Sequence, residues 1–128
     1  MSNVHVESSE VGTVRIFLAV GEKRPRKKGL RNFLRYLCGR RPIYMEIVDE
    51  AKKQGLLQGT AHNTYYGFSG GGAVQAEMSE LPNPSMSMCV ELIGPKEALD
   101  QFCRQHSELL EGKAMFYARL DAWRLRAS

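Results

Sequence analysis

The sequence predicts an α+β fold of the ferredoxin-like βαββαβ kind, with one extra short basic helix inserted between strand 1 and helix 1. Three observations predict it. Apolar, β-branched stretches are bounded by glycine, two amphipathic helical stretches each open behind a proline, and the order along the chain is strand, helix, strand, strand, helix, strand. At 128 residues the chain is the size of one domain. We divide it into a disordered tail over 1–10 and a single domain over 11–128.

Each element has its own signal. The polar, acidic "MSNVHVESSE" shows no periodicity and is expected to fray. "GTVRIFLAVG" (12–21) is a mostly buried first strand. In "PIYMEIVDEAKKQG", Ile43, Ile47, Val48 and Ala51 fall at helical spacing between Pro42 and Gly55, with Lys52 and Lys53 in the last turn. "LLQGTAHNTYYGFSGGG" has a strand-like middle running into glycines. A flexible loop over about 69–83 joins it to the strand "SMSMCVELIG" (85–94). Pro95 opens "PKEALDQFCRQHSELLEG", where Ala98, Leu99, Phe102, Cys103, His106, Leu109 and Leu110 share one helical face and Gly112 ends it. "EGKAMFYARLDAWRLR" (111–126) supplies the last strand. Right-handed crossovers put both helices on one side of the sheet. The other side stays uncovered, which points to oligomerisation.

The charge is concentrated. Residues 23–41 hold nine cations and no acidic residue, so of the net +4 the rest of the chain carries −5. Within "RKKGLRNFLRYLCGRR" (26–41), Leu30, Phe33, Leu34 and Leu37 fall at i, i+3, i+4, i+7, with Arg31 and Arg35 on the other side. This basic amphipathic helix offers Lys27, Lys28, Arg31, Phe33, Leu34 and Arg35 for docking. A partner protein such as a transporter's acidic cytoplasmic face, an anionic membrane surface, and its own oligomer are the three surfaces it suits.

No window has the eighteen or so uninterrupted apolar residues of a membrane span, and the first residues lack the basic and apolar regions of a secretory signal. Cys38, Cys89 and Cys103 are odd in number and lack Cys-x-x-Cys spacing, which fits a reducing cytoplasm and small buried hydrophobes. His5, His62 and His106 are scattered, and none is set with cysteine or carboxylate in a metal-ligand pattern, so neither a metal cluster nor a catalytic triad is indicated. His106 suits a core or boundary position. Acylphosphatase-type hydrolysis lacks its phosphate loop after the first strand. RNA binding would use Tyr65, Tyr66, Phe116 and Tyr117, but the expected aromatic motifs are missing and core packing of these rings is expected instead.

Two patterns point to a ligand. Gly59 and Gly67 flank a strand that ends in Gly70, Gly71 and Gly72; a hairpin loop and a phosphate cradle explain this equally well, and the spacing matches neither a P-loop nor a dinucleotide fingerprint. Lys113 directly after Gly112, followed by Arg119, Arg124 and Arg126, suits phosphate oxygens or a solvated edge strand.

"QGTAHNTYYGF" resembles the second-strand motif of the PII signalling proteins, "EGKAMFY" their Gly-Asp-Gly-Lys-Ile-Phe-Val loop and strand, and "DAWRLR" their Asp-Val-Val-Arg-Ile-Arg end. The distance from Lys113 to Arg124 matches as well. "RPIYMEIVDEAKKQGL" with "GTAHNTYYGF" is more similar still to a PII-like group known as a domain of unknown function. The resemblance spans about 13–25 and 42–126. It implies a cytoplasmic homotrimer, without enzymatic activity, that binds an adenine nucleotide (ADP, ATP, AMP or cyclic AMP) in each cleft between subunits and controls a partner such as a membrane transporter. It further implies that Gly59 and Gly67 shape the cleft, that Glu91 lies near the adenine, that Gly112 and Lys113 meet phosphates, and that Arg124 and Arg126 reach the outer phosphates from the adjoining subunit. Ala61, Ser69 and Leu110 depart from the pattern. Loop 69–83 is shorter than a full T-loop and lacks its tyrosine and 2-oxoglutarate features, so neither uridylylation nor 2-oxoglutarate sensing is expected; some PII-like relatives respond to adenylates with bicarbonate. The basic helix is outside the resemblance, and nucleic acid is not an expected partner.

Overall fold

The computed structural model describes residues 3–23, 41–68, 71–76 and 86–127. The helix expected over 26–41, with Lys27, Lys28, Arg31, Phe33, Leu34 and Arg35, lies outside them, apart from Arg41. The described elements are β1 (Val4–Ala19), α1 (Ile43–Lys53), β2 (Gln58–Asn63), β3 (Tyr66–Gly67), β4 (Gln75–Ala76), β5 (Ser87–Gly94), α2 (Lys96–Gln105), α3 (Ser107–Leu110) and β6 (Ala114–Ala127). Four of them form a sheet in the order β2-β5-β1-β6, antiparallel throughout. This is the ferredoxin-like arrangement, with β3 and β4 paired separately.

Alternation along the central strands decides the layers. Met88, Val90 and Leu92 of β5 sit beside Leu18, Ile16 and Val14 of β1 in register, all buried on one side. Against them pack Ile43, Ile47 and Ala51 from α1, Leu99 and Phe102 from α2, and Leu109 and Leu110 from α3, forming the core that the helical spacings predict. Phe102 and Ile47 are 0% exposed. α1 has no side-chain N-cap; the backbone N–H of Ile43 instead donates to the Glu22 carbonyl at 2.8 Å, tying the helix to the end of β1. At its other end Gly55, at φ 78°, turns the chain, and the Leu57 N–H donates to the Ile93 carbonyl at 2.9 Å to start β2 beside β5.

Three expectations change. Residues 4–10 do not fray. They lengthen β1 and pair with the end of β6 from Val4↔Ala127 to Glu10↔Asp121, because a partner strand more than a hundred residues away supplies hydrogen bonds invisible in the local sequence. The helix expected over 95–111 is two helices broken at His106 (φ −108°, ψ 31°); its ring lies 4.5 Å from that of Phe102 and its Nε2 is buried without a hydrogen-bond partner. Within the loop expected at 69–83, Gln75 and Ala76 pair with Gly67 and Tyr66.

Candidate functional site

The face of the sheet turned away from the helices carries the first group of polar residues. One row across it reads Thr60, Glu91, Arg15, Phe116, and the next reads His62, Cys89, Phe17, Ala114. Arg15 Nε donates to Glu91 Oε2 at 2.9 Å, Thr60 Oγ1 and His62 Nε2 are 3.0 Å apart, and the Phe17 and Phe116 rings meet edge to face at 5.8 Å. Glu91 is therefore at the centre of the sheet, with its carboxylate already neutralised by an arginine. Burial pushes the Cys89 thiol upward, with Arg15 partly offsetting it and the Glu91 carboxylate adding to it. Farther along β1, toward Val4, Val11 and Thr13 are buried on this face, and the Thr13 hydroxyl has no partner.

The second group is the turn into β6. Gly112 adopts φ 77°, which favours glycine, and the Lys113 N–H donates to the Leu110 carbonyl at 3.1 Å. The Lys113 side chain is only 11% exposed, and its Nζ lies 2.5 Å from Glu22 Oε1. Glu22 thus links three parts: its backbone carbonyl starts α1, one carboxylate oxygen holds Lys113, and the other accepts from the Ala19 N–H at 3.4 Å.

The third group is at the far end of the same strand. Arg124 and Arg126 lie on one side of β6, opposite Glu7 and His5, and Arg126 Nε forms an ion pair with Glu7 Oε1 at 3.1 Å. Eleven residues of extended chain separate Lys113 from Arg124, about 36 Å at ~3.3 Å per residue.

One chain therefore does not gather the residues singled out in the sequence. Gly112 and Lys113 are together, Arg124 and Arg126 are together, and Glu91 is on the sheet face. Gly59 pairs with Leu92 on the helix side, where an added Cβ would lie 3.3 Å from Leu92 and 3.8 Å from both Ala51 and Val48; its local role is to let α1 sit close. Gly67 belongs to the small β3–β4 ladder. Sequence reasoning missed Glu22, Arg15 and Glu7, each a charge on a different element from the one it pairs with. It also misplaced four rings: Tyr65, Tyr66, Phe116 and Tyr117 are 75%, 74%, 62% and 42% exposed, not packed in the core, because the first two fall at the small β3–β4 ladder and the last two on the edge strand β6.

Among the described residues no group of histidine, cysteine and acidic side chains could hold a metal ion, and no helix is long and apolar enough to cross a membrane. A pocket of about 240 Å³ lies between α2 and β6, lined by Leu99, Cys103, Met115 and Tyr117, with the Lys96 ammonium 5.9 Å from the Tyr117 ring centre.

A four-stranded antiparallel sheet in this order, with its helices packed on one side, is a ferredoxin-like fold. The chain belongs to the family DUF190 (Uncharacterized ACR, COG1993), whose model matches residues 35–122. Solved structures agree on the fold. CPII from Thiomonas intermedia K12, a nitrogen regulatory PII-like protein, is similar in its ADP- and bicarbonate-bound form, with TM-score 0.52 and 12% identity over 92% of this chain and 91% of that one. Its apo form gives TM-score 0.50 at 12% identity over 94% and 99%. A putative PII-like signalling protein from Thermus thermophilus gives TM-score 0.51 at 13% identity over 92% of each chain. No curated protein matches the sequence.

Proposed function

We propose that this chain is a regulatory subunit that assembles as a homotrimer, binds an adenine nucleotide in each cleft between subunits, and so controls a partner protein such as a membrane transporter. The observation that carries this reading is the division of phosphate-suited cations along β6. Gly112 and Lys113 are at one end, Arg124 and Arg126 are about 36 Å away at the other, and only a second copy brings the two sets together. The structural likeness to CPII, which binds ADP with bicarbonate, supports the ligand class.

In the free chain the Lys113 charge is already paired. Glu22 holds Lys113, and a phosphate must draw the ammonium away from that carboxylate. Binding then frees Glu22 and with it the end of β1, which the basic segment 26–41 follows in the chain. A change at Glu22, together with contact between loop 69–83 and the ligand, is how occupancy would reach a docked partner or an anionic membrane surface. The alternative of RNA on the open sheet face is less well supported, since Arg15 there is paired with Glu91 and the chain outside 23–41 is net acidic.

Calorimetric titration with AMP, ADP, ATP and cyclic AMP, with and without bicarbonate, tests the reading. One nucleotide per subunit is expected, lost in Lys113→Ala. Glu22→Gln, which removes the competing carboxylate, is expected to tighten binding several-fold. Absence of binding by all four nucleotides would refute the site.

A further inference from the structure

On the β6 side α2 leaves a hollow above the sheet, the pocket of about 240 Å³ described above, and its floor and its mouth differ in chemistry. Val14 and Leu99, both almost fully buried, and the half-buried Cys103 and Met115 make an apolar floor. Tyr117 makes one wall. Its ring lies on Gly12, where an added Cβ would come within 2.5 Å of it, so a bare glycine backbone seats the wall. At the mouth the Lys96 ammonium stands 5.9 Å from the centre of that ring. Past Cys103 and Met115 the hollow runs on as a groove to Ser107, Leu110 and Glu111.

We infer that this groove binds a small amphipathic anion, a monocarboxylate on a medium-length alkyl chain, with the carboxylate on Lys96 and the chain laid over Leu99, Cys103 and Met115. The inference goes beyond the nucleotide reading and is independent of it, since neither Gly112 nor Lys113 lines the groove.

Four observations select that occupant. Lys96 forms no ion pair among the described residues, and a carboxylate is a stronger partner for its ammonium than the Tyr117 ring. The acid at the same rim, Asp100, is already held by Arg104 at 2.8 Å, so its charge does not claim Lys96 or turn an anion away. Glu111 stands at the opposite end of the groove and disfavours a carboxylate there, which fixes the direction of the ligand. Burial raises the Cys103 thiol above its ordinary range, so the floor between the two ends carries no charge at neutral pH and suits methylene groups. Size narrows the class further. At about 240 Å³ the hollow is below the ~300–1,000 Å³ of drug-sized sites, room for about ten non-hydrogen atoms and too little for a nucleotide.

Sodium octanoate, titrated into the full chain and followed by amide NMR, tests the groove. Saturable shifts confined to residues around 96–103 and 110–117 are expected, with a Kd at or below about 1 mM. Octanoate should bind about tenfold tighter than hexanoate, roughly three- to fourfold for each CH₂ taken out of water. Neutral octanamide should bind about fivefold more weakly than octanoate, a comparison that needs no variant. Lys96→Gln, a change at an exposed side chain, should weaken octanoate about five- to tenfold and leave octanamide within about twofold of its wild-type affinity. Absence of saturable shifts at millimolar octanoate, equal affinity for octanoate and octanamide, no effect of Lys96→Gln, or shifts confined to the exposed Trp123 and Leu125 would each overturn the inference. Titration with ADP separates the two readings. Octanoate binding without ADP uptake upholds the groove and refutes the nucleotide site, whereas ADP uptake without octanoate binding refutes the groove alone.

Discussion

The pair β1–β6 passes through two environments along its length. Near its Ala19 end β1 has β5 on its other side and helices beneath it, and Val14, Ile16 and Leu18 are 5%, 0% and 6% exposed. Near its Val4 end it has, among the described residues, only β6 beside it, and two valines on the same side of the same strand are more than half exposed. Residue type is the same in both places; what differs is whether the chain supplies a covering layer. The helix-covered half holds the core of the chain, and the ribbon half leaves its apolar side chains exposed.

Truncating one aromatic ring in each half should separate them most clearly. Phe102→Ala removes a fully buried ring from beneath the sheet and should cost about 3–5 kcal/mol in urea unfolding, while Trp123→Ala, at a ring 72% exposed, should change it by less than ~0.5 kcal/mol. Equal losses would mean that the ribbon is part of the single chain's core. Gly12→Ala tests the boundary between them. A Cβ there would fall 2.5 Å from Tyr117 Cε2, so the ring must swing out and leave Lys96, at a cost of about 1–2 kcal/mol.

Thiol chemistry probes the covered half more gently. Burial, then the Asp100 charge, raises the Cys103 thiol above its ordinary range, and burial does the same at Cys89. The folded chain thus keeps protons that the unfolded chain has already released. Their contribution to stability is complete at neutral pH and falls as pH rises through the ordinary thiol range and beyond. In Cys38→Ser protein, alkylation at pH 8 should be slower than for a free thiol and reach that rate only on unfolding. Asp100→Asn should do least. Arg104 holds that carboxyl below its usual range at 2.8 Å, but the pair is exposed, so the melting temperature should not move measurably at neutral pH.

The helix-covered half was legible in the sequence because burial on one side writes a period. Ile43, Ile47 and Ala51, then Leu99, Phe102 and Leu109, repeat as a helix laid on a sheet demands, and "SMSMCVELIG" alternates as a strand packed on one face does. The break at His106 was not legible, since both short helices keep the same apolar face across it. The candidate site was half legible. Gly112–Lys113 and the Arg-x-Arg ending stood out by type and spacing, whereas Glu22, Arg15 and Glu7 are acids and bases whose partners sit on other elements. "NVHVESSE" carries only two valines in a polar run, too little apolar signal to outweigh its resemblance to a tail.

Local periodicity was enough to read most of the elements and the helix-facing core, because each of these is written within one short stretch of chain. Two facts needed the folded molecule: that residues 4–10 form a strand, and that Glu22 holds Lys113. They depend on which strand lies beside which, and pairing between residues far apart in the chain leaves no mark on either segment alone.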